Sequence, residues 1–512
     1  MKINNLKIGT LLIGALLFLG CFDLEEEVYS EVTADNFFLT DEQVVTSIGS
    51  IYTNLYNYLG NDNMWSLNEA STDEMTIPTT GTDWYENGHW QRLHRHEWLP
   101  TEPYFNINWN MLFFGVNSCN RVIYQLEEIG TDEALAFVPE LRAFRAFYYF
   151  HLMDLYGGVP LITDFLDDNP KPSRASRKEV YDFIESELKS TLNDLSKNVS
   201  SSYGRMNFYA AQATLAKLYA NSEEYIGEAR WEDCLAACRE ITGSGAFSMT
   251  LEYFINFDAD TQGTSEFIFA IPYDETNARG NIMGVISLHA ANQDTYDLAY
   301  QPWNGWTSVG EFYDSYEDTD KRKGVPENAS VRGNFLVGQQ FSSSGEPLID
   351  NGFEPEDPDG AILVFTPHPT STNGLFWLRQ DGARLSKFEY EKGGRIDMNN
   401  DFAIYRYTDF VLLEAEMLWR LDREQGTALA LVNAVRDRAG VLPYTELTEK
   451  NIYDERGREL FAEGIRRHDM IRFGTYGDAW FEKAPSDATK TIFPIPQNQL
   501  DSNASLTQNP GY

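Results

Sequence analysis

The chain has 512 residues, with 78 acidic side chains against 40 basic ones and a net charge of −38. That balance argues against a partner held through a phosphate backbone, and the length leaves ample chain to bury a core. Aromatic residues make up 14% of the sequence; many stand in Gly- and Asn-rich stretches, where no helical core needs them.

Residues 1–20 read as an export signal. Lys2 and Lys7 make a basic start, and Ile8 to Leu19 are apolar or small, a run too short for the roughly twenty residues that span a bilayer. Phe18-Leu19-Gly20-Cys21 resembles the cleavage site of a bacterial lipoprotein, with Phe18 where an aliphatic residue is usual. Cys21 is therefore the expected lipidation site, and attachment through more than one acyl chain is stable. The acidic Asp23-Leu24-Glu25-Glu26-Glu27 that follows resembles the signal sending lipoproteins of Bacteroidetes to the cell surface, on a tether spanning 21–40. Cys119, Cys234 and Cys238 make no disulfide framework and read as small buried residues.

Residues 41–512 read as a single domain. Glu42–Leu59 predicts a helix with Val45, Ile48, Ile51, Tyr52 and Leu55 on one face. A long irregular segment over 60–105 carries Trp65, Trp84, Trp90 and Trp98, and loops of that length are usually functional. Helix returns at Asn108–Ile129. The stretch Leu141–Pro160 is apolar along two lines, Leu141-Phe144-Tyr148-His151-Leu155 and Ala143-Phe147-Phe150-Asp154, so it is expected to lie between neighbours; Gly157, Gly158 and Pro160 end it.

Three helical pairs follow from the periodicity: Leu141–Pro160 with 176–195, Phe208–Tyr219 with Trp231–Ile241, and Phe410–Leu421 with Ala428–Ala439. The alanine-rich second pair has the small-residue pattern of a tetratricopeptide unit. Between 244 and 400 the periodicity fades, leaving short strands expected at Phe267–Ile271 and Ile362–Phe365. The fold class is mainly α: a helical scaffold over about 41–59, 106–243 and 401–475, with irregular insertions over about 60–105 and 244–400.

Arg142-Ala143-Phe144-Arg145-Ala146-Phe147-Tyr148-Tyr149-Phe150, followed by Tyr156-Gly157-Gly158-Val159-Pro160-Leu161, resembles the central helix of the SusD/RagB family of outer-membrane nutrient-binding lipoproteins. Further blocks agree in order: Gly204-Arg205 before Ala210-Ala211, then Asn433 to Gly440, Glu455 to Asp469, Phe493-Pro494-Ile495-Pro496, and Gln508-Asn509-Pro510-Gly511-Tyr512. The resemblance runs from Cys21 to the last residue and is weakest in the middle insertion. It implies four tetratricopeptide-like helical pairs in a right-handed superhelical stack carrying an irregular ligand-binding region. It also implies a SusC-like TonB-dependent transporter as partner, a lipid anchor in the outer membrane facing the exterior, and capture of oligosaccharide without catalysis.

Sugar rings present apolar C–H faces to flat aromatics and hydroxyls to carboxylates, amides and guanidinium groups. Two clusters supply that mixture outside helical stripes. One holds Asp73, Glu74, Asp83, Trp84, Tyr85, Glu86 and Trp90; the other holds Tyr296, Tyr300, Gln301, Trp303, Asn304 and Trp306. Trp84 and Trp306 lead as stacking platforms because polar residues and glycine flank them. Trp65 and Trp98 read instead as plugs beneath the long loop. Arg384 and Tyr390 are candidates for a hydroxyl clamp, with a structural ion pair as the simpler role for Arg384.

Other chemistries have residues of their own in the sequence. His89, His94 and His96 form a short-loop triad, but Arg92 and Arg95 among them favour hydrogen-bonding over metal ligation. Asp357-Pro358-Asp359-Gly360 offers part of a Ca²⁺ loop and reads better as a turn, so no cofactor is expected. A glycoside hydrolase needs only two suitably spaced carboxylates and stays open as an alternative, as does a peptide-binding tetratricopeptide scaffold. The charged block Glu455–Asp469 reads as ion pairs joining helices.

Overall fold

The computed structural model describes residues 48–80, 83–325, 332–350, 360–372 and 379–512. The export signal, Cys21, the tether, the first part of the helix expected from Glu42, and Asp357–Asp359 lie outside the described residues.

The segment expected to be irregular contains two short helices, α1 (Met64–Ala70) and α2 (His89–Arg95). Each is seven residues long, too few for an apolar stripe to repeat, which is why periodicity misses them. Helix α3 (Pro103–Ile129) opens with Pro103, whose missing N–H would have no partner there, and stops at Gly130 with φ of 66°. Helix α4 (Val138–Tyr156) is buried at every position from Ala143 to Tyr156, the outcome its two apolar lines demand. It packs on α3 so closely that a Cβ on Gly115 would lie 2.4 Å from the Tyr148 ring.

Helix α5 (Arg177–Thr191) starts from a reciprocal cap between Ser176 and Glu179, and α6 (Phe208–Ala220) from the Asn207 side chain. With α7 (Trp231–Thr242), α8 (Tyr407–Arg420) and α9 (Gln425–Ala439) the three pairs read from periodicity form: α4 with α5, α6 with α7, and α8 with α9. The helical segment beginning at residue 48 docks on α3 and α4 as a fourth. Asn54 donates to the Met111 carbonyl at 2.9 Å, and Tyr52 stacks on Phe144 with ring centroids 4.5 Å apart. Because α7 also packs on α8, the pairs form one stack of tetratricopeptide type.

Between α7 and α8 the chain is mostly turns and two-residue strands. The expected strand Phe267–Ile271 pairs antiparallel with Phe402–Arg406, whereas Ile362–Phe365 divides into Ala361–Ile362 and Val364–Phe365, each with its own partner.

Helices α10 (Glu449–Leu460) and α11 (Arg466–Arg472) lock the region to the stack through buried ion pairs. Arg456 reaches Asp409 and Asp469, both at 2.7 Å. Arg406 contacts Glu266 at 2.7 Å, Glu459 at 2.9 Å and Glu463 at 2.8 Å. Arg467 binds Asp154 of α4. Burial opposes ionisation of Asp154, but Arg467 and His468 outweigh it and hold the carboxyl well below its usual range. The charged block is architecture, as its helical pattern implied.

Candidate functional site

Two segments far apart in sequence are stapled by a minimal sheet. Met75 and Thr76 pair antiparallel with Ser308 and Thr307, and the Ser308 N–H donates to the Ala383 carbonyl at 2.9 Å. The staple brings the loop before α2 against the loop 300–306 and opens between them a cleft of about 460 Å³. Its walls include Asn61, Thr80, Asp83, Trp84 and Glu86 on one side, His289, Gln301, Trp303 and Asn304 on the other, and Arg379.

Trp84 and Trp303 are joined directly. The Trp84 indole N–H donates to the Trp303 carbonyl at 2.9 Å, and the rings lie 6.3 Å apart at 54°. Trp303 is 49% exposed and Trp84 half-buried, so both leave indole surface open in the cleft. Behind them a line of rings runs into the core: Trp84 to Trp90 at 6.5 Å, Trp90 to Trp306 at 5.9 Å, and Trp306 to Trp65 at 4.7 Å. Gly305 permits the arrangement, because a Cβ there would fall 2.2 Å from the Trp84 ring.

The backbone at the cleft is strained. Trp84, Glu86, Asn87 and Asn304 all have positive φ, at 59°, 39°, 58° and 54°, a region that costs of order 1 kcal/mol or more for a residue with a side chain. Asn304 is held from below: its Oδ1 accepts from Arg384 at 2.8 and 3.2 Å, and its Nδ2 donates to the Arg379 carbonyl at 3.1 Å. Arg384 also donates to the carbonyls of Asp381, Gly382 and Arg379 and lies over the Phe365 ring at 4.6 Å. Burial lowers its pKa to about 9 against the partial support of Asp381 and Asp350. The His289 Nδ1 accepts the Ala291 N–H, and burial pushes that imidazole down, towards its neutral form.

Of the sequence-derived candidates, Asp83, Trp84, Trp303 and Asn304 meet in the cleft, together with Glu86 and Gln301. The others are placed differently. Trp306 is 0% exposed, its N–H donating to Asn61, and Trp90 is 1% exposed, its N–H bound to Glu86. Neither has a free face; the exposed indole of that loop is Trp303. Asp73 is a fork for Arg466 at 2.7 and 2.8 Å, a framework ion pair. Arg384 is 2% exposed and clamps Asn304 rather than a ligand. Tyr296 and Tyr390 pack edge to face at 5.3 Å outside the cleft walls. Sequence reasoning missed Asn61, Thr80, His289 and Arg379, single polar residues with no local pattern to mark them. His94 and His96 turn inward to the Phe481 and Ser71 carbonyls at 2.7 and 2.9 Å, and His89 faces Glu86 at 3.1 Å.

The geometry defines a tetratricopeptide-type helical stack bearing an open aromatic cleft with neutral and charged polar walls. A model described as "SusD family" matches residues 381–512, and one described as "Starch-binding associating with outer membrane" matches residues 24–220. The chain is 24% identical over 491 residues to the starch-binding protein SusD of Bacteroides thetaiotaomicron, covering 88% of this chain and 85% of that one. It is also 24% identical over 544 residues to SusD-like protein P38 of Formosa agariphila, covering both chains in full. Among solved structures it is similar to surface glycan-binding protein A from Bacteroides thetaiotaomicron, with a TM-score of 0.73, 22% identity, and 93% of this chain and 100% of that one covered. A structure of that protein in complex with laminarihexaose gives a TM-score of 0.71 at 22% identity, covering 92% and 99%. The chain belongs to the SusD/RagB family.

Proposed function

We propose that this protein is a non-catalytic, lipid-anchored receptor on the outer face of the outer membrane. It holds an oligosaccharide in the Trp84–Trp303 cleft and delivers it to a SusC-like TonB-dependent transporter. The observation that carries the reading is the convergence of two segments 219 residues apart on one open cleft of strained backbone, exposed indole surface and amide and carboxylate groups. The names of the relatives, starch-binding and surface glycan-binding, agree with that chemistry.

The reading is tested by electrophoresis of the protein lacking residues 1–21 through gels cast with plant, microbial and host polysaccharides. It predicts retardation in at least one gel and no release of smaller saccharides when the retarding polysaccharide is incubated with the protein. Product release would replace it with the hydrolase alternative; free migration in every gel, with retention on a peptide column, would replace it with the peptide-binding one.

A further inference from the structure

A second hollow of about 460 Å³ lies between α3, the proline-rich segment 160–172 and the C-terminal helix Gln497–Ser502. It shares no wall with the Trp84–Trp303 cleft. Its walls carry no ionisable side chain, although 23% of the sequence is charged, and in this it differs from the first cleft with its Asp83, Glu86 and Arg379. What it offers is amide and aromatic surface. Asn110, Phe114 and Asn117 share the outer face of α3 at helical spacing, and Phe114 is 61% exposed.

Trp109 lines the hollow and is 5% exposed. The Asn110 Oδ1 accepts from Gln499 at 3.1 Å, which leaves its N–H₂ without a partner among the described residues, and the Asn117 side chain is exposed on the same helix face. Pro160, Pro170 and Pro172 stiffen the opposite wall, and Asn503 ties that wall down by donating to the Pro172 carbonyl at 2.9 Å.

We propose that this hollow is a second binding site for a neutral oligosaccharide. A sugar ring rests on Phe114, and its hydroxyls accept from the Asn110 N–H₂ and exchange hydrogen bonds with the Asn117 amide. An exposed phenylalanine alone would equally suit a protein contact; the uncharged lining and the Asn110 and Asn117 amides on the same helix face favour sugar hydroxyls. The inference rests on the glycan-binding reading above.

The test uses the same protein in gels cast with neutral polysaccharides (starch, laminarin) or anionic ones (pectin, alginate). It compares the wild type, a cleft variant (Trp84→Ala with Trp303→Ala), a surface variant (Phe114→Ala with Asn117→Ala) and all four substitutions together. The proposal predicts residual retardation of the cleft variant in a neutral gel and its loss when the surface pair is added. The surface variant alone should bind about 2- to 10-fold more weakly with an unchanged melting temperature. Wild-type mobility of the surface variant in every neutral gel overturns the second site and leaves the first standing, as does complete loss of retardation in the cleft variant. Retardation in anionic gels alone also overturns it, because the hollow has no cation. Failure of the wild type in every gel removes both readings. A surface variant that binds normally but no longer co-purifies with a co-produced barrel would reassign the hollow to a protein contact.

Discussion

At the scale of single residues, three tryptophans that look equivalent in sequence have different roles, and substitution separates them. Trp306 is enclosed and hydrogen-bonded to Asn61, so Trp306→Ala is expected to cost about 3–5 kcal/mol of stability, read by chemical denaturation. Trp303 is half in solvent, so Trp303→Ala is expected to leave the denaturation midpoint nearly unchanged and to weaken glycan binding about 10-fold or more. Gly305→Ala acts through its neighbour: the added methyl needs the space of the Trp84 ring, and binding should fall about as far while the fold persists. Wild-type affinity in Gly305→Ala would mean that the position of Trp84 is immaterial. The mixture of glycine, amide and aromatic residues made both clusters legible. Which of Trp303 and Trp306 faces out was not, because the sequence holds no periodicity there. The strand pair Thr307–Ser308 to Met75–Thr76 decides it by turning the chain just after Trp306.

At the scale of elements, the irregular region is joined to the helical scaffold by buried polar groups, and one junction carries two acids. Glu69 of α1 accepts the Gly464 N–H, and Glu74 accepts the Ala462 N–H at 3.1 Å. Both carboxyls are 1% exposed or less. Burial raises the Glu69 pKa, and burial followed by the Glu69 charge raises that of Glu74. The unfolded chain releases these protons near pH 4.3, whereas the folded chain holds them longer. Their stabilising contribution is therefore complete below about pH 4.3 and drains away as pH rises through neutrality. Glu69→Gln is expected to lose less stability than the wild type between about pH 6.5 and 8, histidine titration in that range being common to both proteins. Parallel denaturation midpoints across that range would contradict the raised values. The depressed Asp154 behaves oppositely, its contribution being present above the ordinary carboxylate range and lost only in strong acid.

At the scale of the molecule, the helical pairs were legible because each buries a stripe that repeats over several turns. The doubly apolar α4 was legible for the same reason: a helix enclosed on all sides has no polar face to offer. The irregular half was not, since its order comes from two-residue strands and buried side-chain pairs between distant segments, contacts that leave no local signature. Asp73 shows the difficulty. Its position beside Glu74 and near Trp84 suggested a ligand contact, and only the approach of Arg466, 393 residues away, makes it part of the frame. The result is a helical stack that carries the loops lining the cleft.

The central claim is that the Trp84–Trp303 cleft is where a glycan binds, and the most direct measurement is a calorimetric titration. The saccharide is the one prepared from whichever polysaccharide retards the wild type, titrated into wild type and into the Trp84→Ala, Trp303→Ala double variant. The account predicts that binding by the double variant weakens about 100-fold while its denaturation curve stays close to that of the wild type. Equal affinity in the two proteins would contradict it.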